Sequence, residues 1–338
     1  MSIDQQISSN AELSLISTGQ LPSSTMVQTL VKAAYERFKP NQDGQQADYY
    51  PALARVPEDL FGLCVAGING ALYPAGDALF PFTIMSISKP FVFALVCQVL
   101  GREQVRQKLG VNSTGLPFNS ILAMEMSPNR LTNPMVNSGA IAATSLAPGE
   151  SIQARWQFIY QGLARFAGRE LTMNEEVYAS ASASNQRNHV IARLLASYDR
   201  FYGDPLESVD LYTRQCSLDV TANDLAVMAA TLADGGVNPI TKERVIDRDL
   251  CPAVLAVMAT AGMYETSGDW LYDVGLPGKS GVGGGIITVA PGKGGLGTFS
   301  PRLDRAGNSI RGQLATQFLS TRLGLNLYAS EVSQEICQ

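Results

Sequence analysis

Ser86 stands three residues before Lys89 in Met85-Ser86-Ile87-Ser88-Lys89, and far downstream the chain reads Lys279-Ser280-Gly281. A serine with lysine at i+3, followed later by Lys-Ser/Thr-Gly, is how one group of acyl-transfer enzymes makes a nucleophile without histidine. If Ser86 opens a helix, residues i and i+3 share a face and the Lys89 amine can reach the Ser86 hydroxyl. An ammonium cannot accept that proton, so Lys89 needs its pKa lowered by burial or by a second cation, for which Lys279 is the candidate. Alone, the Ser-x-x-Lys spacing is weak, since a serine cap followed by a solvated first-turn lysine reads the same way. The Lys-Ser-Gly at the start of a β run tips the balance toward a serine acyl-enzyme, with backbone N–H groups at the strand edge as an oxyanion hole.

Competing chemistries fare worse. A Ser-His-Asp triad needs histidine, and the chain has one, His189, in a helical pattern beside Asn188, where it reads as a surface or half-buried residue. A cysteine nucleophile usually needs a histidine partner too. The five cysteines, at 64, 97, 216, 251 and 337, form no CxxC pair and no metal-ligand spacing, and four sit in apolar segments, as reduced buried thiols of a cytoplasmic protein would. Gly281-Val282-Gly283-Gly284-Gly285 precedes a strand where a dinucleotide fingerprint would follow one, and Gly292-Lys293-Gly294 lacks the Ser or Thr of a phosphate loop. No cofactor is implied.

At 338 residues the chain is long enough for one large domain or two lobes, each with a core. It is 46% hydrophobic and 16% charged, with a formal net charge of −5, which leaves no electrostatic footprint for phosphate backbones or anionic membranes. Residues 1–24 are polar and Ser-rich, without the apolar run of a signal peptide, and the apolar run Phe91 to Val96 is too short to span a bilayer.

The elements that must position these residues follow from the periodicity. Met26 to Phe38 has apolar residues at helical spacing. Phe61 to Ile68 is a β-type run, Asn69-Gly70 a hairpin turn, and Ala71 to Tyr73 begins a return strand. From Ser86 to about Tyr264 the pattern is helical: Phe91 to Leu100 continues the helix that Ser86 opens, and Arg187 to Tyr198 is another. Thr221 to Ala233 is the best delimited, with Thr221 and Asp224 as a capping box and Gly235-Gly236 as the stop. Gly285 to Ala290 and Leu296 to Phe299 flank a glycine-rich hairpin loop, and a last helix runs from about Gln313 to Leu323. Strands at both ends with helices between predict one catalytic unit of α/β (α+β) class. Its α/β lobe is discontinuous, from about 25–85 and 265–328, and a helical lobe spans about 86–264, with Ser86 and Lys279 at the junction.

On these residues the chain resembles the serine-dependent glutaminases. The matching stretches are Gly76-Asp77-Ala78, Ser86-Ile87-Ser88-Lys89, Phe118-Asn119-Ser120, Asn133-Pro134 leading into Asn137-Ser138-Gly139-Ala140-Ile141, and Arg187-Asn188. They continue through Asp210-Leu211-Tyr212 with Arg214-Gln215-Cys216-Ser217, the run from Thr231 to Pro239, Gly262-Met263-Tyr264, Gly275-Leu276-Pro277, Lys279 to Gly285, Ser300 to Asp304, and Gly307-Asn308-Ser309. They cover about residues 28 to 326 in unbroken order.

The resemblance implies a β-lactamase/penicillin-binding-protein-like fold, an antiparallel sheet flanked by helices plus an all-helical lobe. It implies hydrolysis of L-glutamine to L-glutamate and ammonia. Ser86 would be the nucleophile, Lys89 the base, and Tyr264 a partner in proton handling, with Lys279 in support. The N–H groups of Ser86 and Val282 would hold the oxyanion, while Tyr49, placed by Pro51, with Asn137, Asn188 and Tyr212 would line the substrate pocket. By the same analogy the protein would be a homodimer or homotetramer with a small-molecule substrate and neither nucleic acid nor membrane as partner.

Three positions depart from the family pattern. The family has a glutamate facing the substrate's α-amino group where this chain reads Ala181 in Val177-Tyr178-Ala179-Ser180-Ala181, and Glu175 and Glu176 lie too early to replace it. Met85 replaces a glutamine before Ser86, and Pro90 replaces an apolar residue after Lys89. Proline is tolerated only in a first helical turn, so the helix start must loosen or shift. The expectations are therefore an active glutaminase with weakened substrate affinity, an amidohydrolase for a glutamine-like substrate without a free α-amino group, or a catalytically degenerate homologue.

Overall fold

A computed structural model describes residues 19–330. Most of the polar segment 1–24, with the expectation that it carries no signal peptide, and Cys337 lie outside the described residues. The helices that matter here are α1 (Ser24–Phe38), α2 (Ser88–Leu100), α3 (Asn137–Ser145), α4 (Ile152–Ala167), α5 (Glu175–Ala183), α6 (Gln186–Ser197), α7 (Pro205–Cys216), α8 (Ala222–Ala233), α9 (Cys251–Ala261) and α10 (Ile310–Arg322). The main strands are β1 (Gly62–Gly67), β2 (Leu72–Gly76), β3 (Gly278–Ser280), β4 (Gly285–Ala290) and β5 (Gly294–Phe299).

These strands form one antiparallel sheet in the order β2-β1-β5-β4-β3. Its seam joins the two ends of the chain, since β1 pairs with β5 in the register Gly62 to Phe299 and Val65 to Leu296. The hairpin between β1 and β2 turns at Asn69-Gly70, where Gly70 has φ +90° and a side chain would be strained.

Helices cover both faces of the sheet, so the inner strands β1, β5 and β4 are buried on both sides. Leu63 and Val65 join Val27, Leu30, Val31 and Ala34 of α1 and Ala315 and Leu319 of α10 in one core. Cys64 and Ala66, on the opposite face, meet Ala226, Val227 and Ala230 of α8. That helix lies almost against the backbone of β5. A Cβ on Gly297 would sit 2.2 Å from the Ala222 carbonyl oxygen, and one on Gly295 would sit 2.4 Å from Ala230 N.

The capping box expected at α8 is present. Thr221 Oγ1 accepts from Asp224 N, and the Asp224 carboxylate accepts from Thr221 N at 2.8 Å. Asp224 also takes Nη2 of Arg169 at 2.6 Å.

The stretch expected to be wholly helical contains strands as well. Leu218–Val220 pairs with Phe82–Thr83 on one side and Thr172–Met173 on the other. Runs of two or three residues show no alternation to read, so the sequence carried no signal for this small sheet. Helices α2 and α3 are the centre of the region: Ser88 to Cys97 and every residue of α3 are buried. A helix apolar on all sides belongs inside a core, and α2 forms the floor of the site. Among the described residues no helix is long and apolar enough to cross a membrane.

Candidate active site

Ser86 does not cap α2. It lies in a 3₁₀ turn, Met85–Ile87, that runs directly into the α-helix beginning at Ser88. Pro90 is then the third residue of α2, where a helix N–H has no intrahelical partner, so the ring costs no hydrogen bond. The shift of the helix start that Pro90 demanded is thus achieved by the turn that carries Ser86.

Met85 holds φ at +49° and Tyr264 at +58°, the left-handed region that side chains seldom adopt. Two such residues at one place are strain of the kind that clusters at functional sites. The glycine-rich turn between β3 and β4 comes close to the same segment. A Cβ on Gly281 would be 3.0 Å from the Ile84 carbonyl oxygen, and one on Gly283 would be 2.7 Å from that of Thr83. Glycine at these positions lets the turn carrying Val282 approach Ser86.

Lys89 is 1% exposed, and its Nζ donates to Asn137 Oδ1 at 2.8 Å rather than to Ser86. Burial lowers its amine to about 7. A base at this position was expected to owe its lowered pKa to burial or to Lys279, and burial is the first cause. Lys279, fully buried on β3, is held well below its ordinary value by burial first and by repulsion from Lys89 second. Its Nζ donates to the carbonyls of Ser280 at 2.6 Å and Gly262 at 3.1 Å and stacks 4.5 Å from the centre of the Tyr264 ring.

Tyr264 is buried, and its hydroxyl donates to the Ser280 carbonyl at 3.2 Å. Burial pushes this phenol well above its usual range, while hydrogen bonding with Ser86 pulls the other way. Phe118 packs at a tilt against Tyr264 with ring centres 4.7 Å apart, lies 6.2 Å from the Tyr49 ring, and has Lys89 Nζ 5.8 Å from its centre. Phe118 thus ties the mouth of the site to its floor. It stood in a matching stretch of the sequence, but nothing local marked it as a site residue.

Ser86, Tyr49, Asn137, Asn188, Tyr212 and Val282 line one cavity, with Ala181 and Asn185 among its other walls. Lys89, Tyr264 and Lys279 lie buried behind that lining. Among the described residues the Val282 N–H has no hydrogen-bond partner, which leaves it available to an oxyanion. Tyr212 Oη donates to Asn137 Oδ1 at 3.2 Å, and Asn137 Nδ2 donates to Asn188 Oδ1 at 3.1 Å. His189 is half-buried on α6 and lines none of this.

Among the described residues no charged side chain lines the cavity. Ala181 is buried in its wall on α5. Glu175 and Glu176 are exposed, Glu176 paired with Arg55 at the surface, and neither reaches the cavity. Carboxylates do stand near its mouth: Asp48, Glu265 and Asp304 all act on Tyr49, whose hydroxyl is raised first by burial and then by these charges.

The fold is β-lactamase-like, and its cavity stands beside a buried Ser-x-x-Lys pair, an arrangement suited to a hydrolase. The glutaminase family model matches residues 44–328. The chain is 62% identical over 324 residues to "Glutaminase 2" of Yersinia pestis, covering 96% of this chain and 95% of that one. It is 49% identical to a glutaminase of Colwellia psychrerythraea, covering 91% of this chain and 99% of the other. A solved structure described as the probable glutaminase YbaS superposes with a TM-score of 0.90 at 44% identity, over 91% of this chain and all of that one. A probable glutaminase from Bacillus subtilis, solved with 6-diazo-5-oxo-L-norleucine, superposes with a TM-score of 0.81 at 31% identity, over 89% of this chain and 96% of the other. The chain therefore belongs to the glutaminase family, amidohydrolases that convert L-glutamine to L-glutamate and ammonia.

Proposed function

We propose that glutamine is hydrolysed here through an ester on Ser86, with Lys89 as the base. The observation that carries this reading is the burial of Lys89 behind Ser86, which brings an amine to about 7 where it can exchange a proton at neutral pH. Ser86 Oγ attacks the γ-carboxamide carbon as its proton passes to Lys89. The oxyanion of the tetrahedral intermediate rests on the N–H groups of Ser86 and Val282. Collapse breaks the C–N bond, and the proton held by Lys89, with Tyr264 sharing in its transfer, leaves on ammonia. Water then attacks the γ-glutamyl ester by the reverse route, releasing glutamate and restoring Ser86. Tyr49, Asn137, Asn188 and Tyr212 hold the substrate's polar ends, and Lys279 supports the site as a second buried amine. Ammonia release from L-glutamine, abolished in Ser86→Ala, tests the assignment; turnover retained by that variant contradicts it.

The reading extends to one catalytic unit, with an α/β lobe from about 25–85 and 265–328 and a helical lobe from about 86–264 enclosing the site between them. It extends also to a homodimer or homotetramer by family analogy, and to the cytoplasm, for which the four buried free thiols among the described residues are the supporting observation. Sedimentation at working concentration tests the assembly.

The uncharged lining favours a second reading beside the first. Glutamine is a zwitterion, and an ammonium placed in a cavity without a carboxylate is poorly compensated. With Ala181 in the wall, a γ-amide whose α-nitrogen is acylated suits the cavity better than free glutamine. Comparison of kcat/KM for L-glutamine and an N-acylglutamine decides it, a ratio favouring free glutamine counting against this reading.

A further inference from the structure

We propose that Asn185 and Thr213 are positioning residues of the reaction, turning the carboxamide oxygen of Asn137 toward Lys89 through a one-way chain of hydrogen bonds. The inference rests on Lys89 acting as the base.

The direction of the chain is set at its far end. Thr213 Oγ1 has one proton and gives it to the Val209 carbonyl at 2.7 Å, inside α7. Toward Asn185 it can therefore only accept, and it takes Asn185 Nδ2 at 2.6 Å. That turns Asn185 Oδ1 to Asn188 Nδ2, 2.6 Å away. Asn188 Oδ1 is left to accept from Asn137 Nδ2 at 3.1 Å, so Asn137 Oδ1 faces Lys89 Nζ at 2.8 Å. All four relay residues are 9% exposed or less, so a reversed amide would leave a buried donor against a donor.

Asn185 sits at the N-cap position of α6, where asparagine normally bonds to the helix's first N–H groups, yet its side chain caps nothing. Both of its polar atoms are spent on the relay instead. The chemical consequence lies at Lys89. If Asn137 were reversed, its NH2 would face the amine, and a neutral amine could meet it only by accepting. That would occupy the lone pair needed for the Ser86 proton. With oxygen presented, Lys89 donates one N–H to Asn137 and keeps its lone pair free. The titratable groups around Lys89 are Tyr212 and Cys216 on α7 and Lys279 on β3; of these Tyr212 meets the end of the relay, its hydroxyl donating to the same Asn137 Oδ1 at 3.2 Å.

The test compares Thr213→Val, which keeps the shape and removes the acceptor, with Thr213→Ser, which restores it. Turnover of L-glutamine is measured against pH and normalised to the sites labelled by 6-diazo-5-oxo-L-norleucine, with Ser86→Ala alongside. Thr213→Val should lose about tenfold or more in kcat. The acid limb of kcat/KM should move to lower pH, because the ammonium loses an oriented acceptor. Thr213→Ser should restore both. A labelled Thr213→Val with the parent's kcat and acid limb, or a Thr213→Ser no nearer the parent than Thr213→Val, overturns the inference while loss of turnover in Ser86→Ala leaves the mechanism standing. Turnover retained in Ser86→Ala overturns both. If Thr213→Val does not fold, Asn185→Ala carries the same pair of outcomes.

Discussion

Lys89 Nζ donates to Asn137 Oδ1 across 2.8 Å, which joins the base of the proposed reaction to the residue expected to hold the substrate. In the proposed reaction one carboxamide would serve both proton transfer and binding, and a substrate that shifts Asn137 would also shift Lys89. The pair further separates the roles of the two buried lysines, since Lys279 spends its hydrogen bonds on backbone carbonyls instead.

Because burial lowers the Lys89 amine to about 7, activity should rise with pH through about 7 as that amine becomes neutral. Lys89→Arg, which stays protonated, should cost about 10²–10⁴ in kcat. A pH profile of kcat/KM for the parent and the variant measures both, and an arginine variant with the parent's rate would exclude Lys89 as base.

The same depressed pKa bears on stability. Between about 7 and the ordinary lysine value of 10.5 the unfolded chain keeps a proton that folded Lys89 has lost, so stability rises with pH from about 7 upward. Lys279 acts in the same direction. Above about 9 the buried thiols and phenols, whose values are raised, oppose the trend. Each lysine contributes at most about 1.4 kcal/mol per pH unit. Denaturant titrations at pH 7 and 8.5 should find the parent more stable at 8.5, and the difference smaller in Lys89→Met.

Ala181→Glu should place a carboxylate in a cavity that has none. A charge-assisted hydrogen bond of about 1.5–3 kcal/mol corresponds to a KM for L-glutamine lowered roughly ten- to a hundredfold, with kcat little changed. Steady-state kinetics check this, and a KM that stays put would mean that Ala181 does not face the α-amino group.

Gly297→Ala should destabilise the fold by about 1–3 kcal/mol or more, because the added methyl would lie 2.2 Å from the Ala222 carbonyl oxygen between α8 and β5. Thr221→Ala, at the cap of the same helix, should cost about 1 kcal/mol. Urea unfolding midpoints compare the two, and the glycine variant should be the worse.

Local rules carried much of the fold. The capping box of Thr221 and Asp224, the Asn69-Gly70 turn and the glycine-rich loop before β5 are each written within a few residues, and each lies where it was expected. The short strands at Phe82–Thr83, Thr172–Met173 and Leu218–Val220 were not legible, because pairing between distant segments creates them. At the site, Ser86, Tyr49, Asn137, Asn188, Tyr212 and Val282 converge on one cavity. Phe118, Asn185 and Thr213 went unmarked because their contacts run to other helices and leave no spacing to read. Ser86 differed in another way, since it lies not on the α-helix but in the 3₁₀ turn before it.

The central claim is that the γ-carbonyl of glutamine becomes an ester of Ser86. Tyr264→Phe should slow the reaction enough for that ester to be caught by acid quench, and peptide mass mapping then locates it. The account predicts one glutamyl unit on the peptide containing Ser86, formed with L-glutamine and absent in Ser86→Ala. A glutamyl adduct on another residue, or ammonia released at the parent's rate by Ser86→Ala, would contradict it.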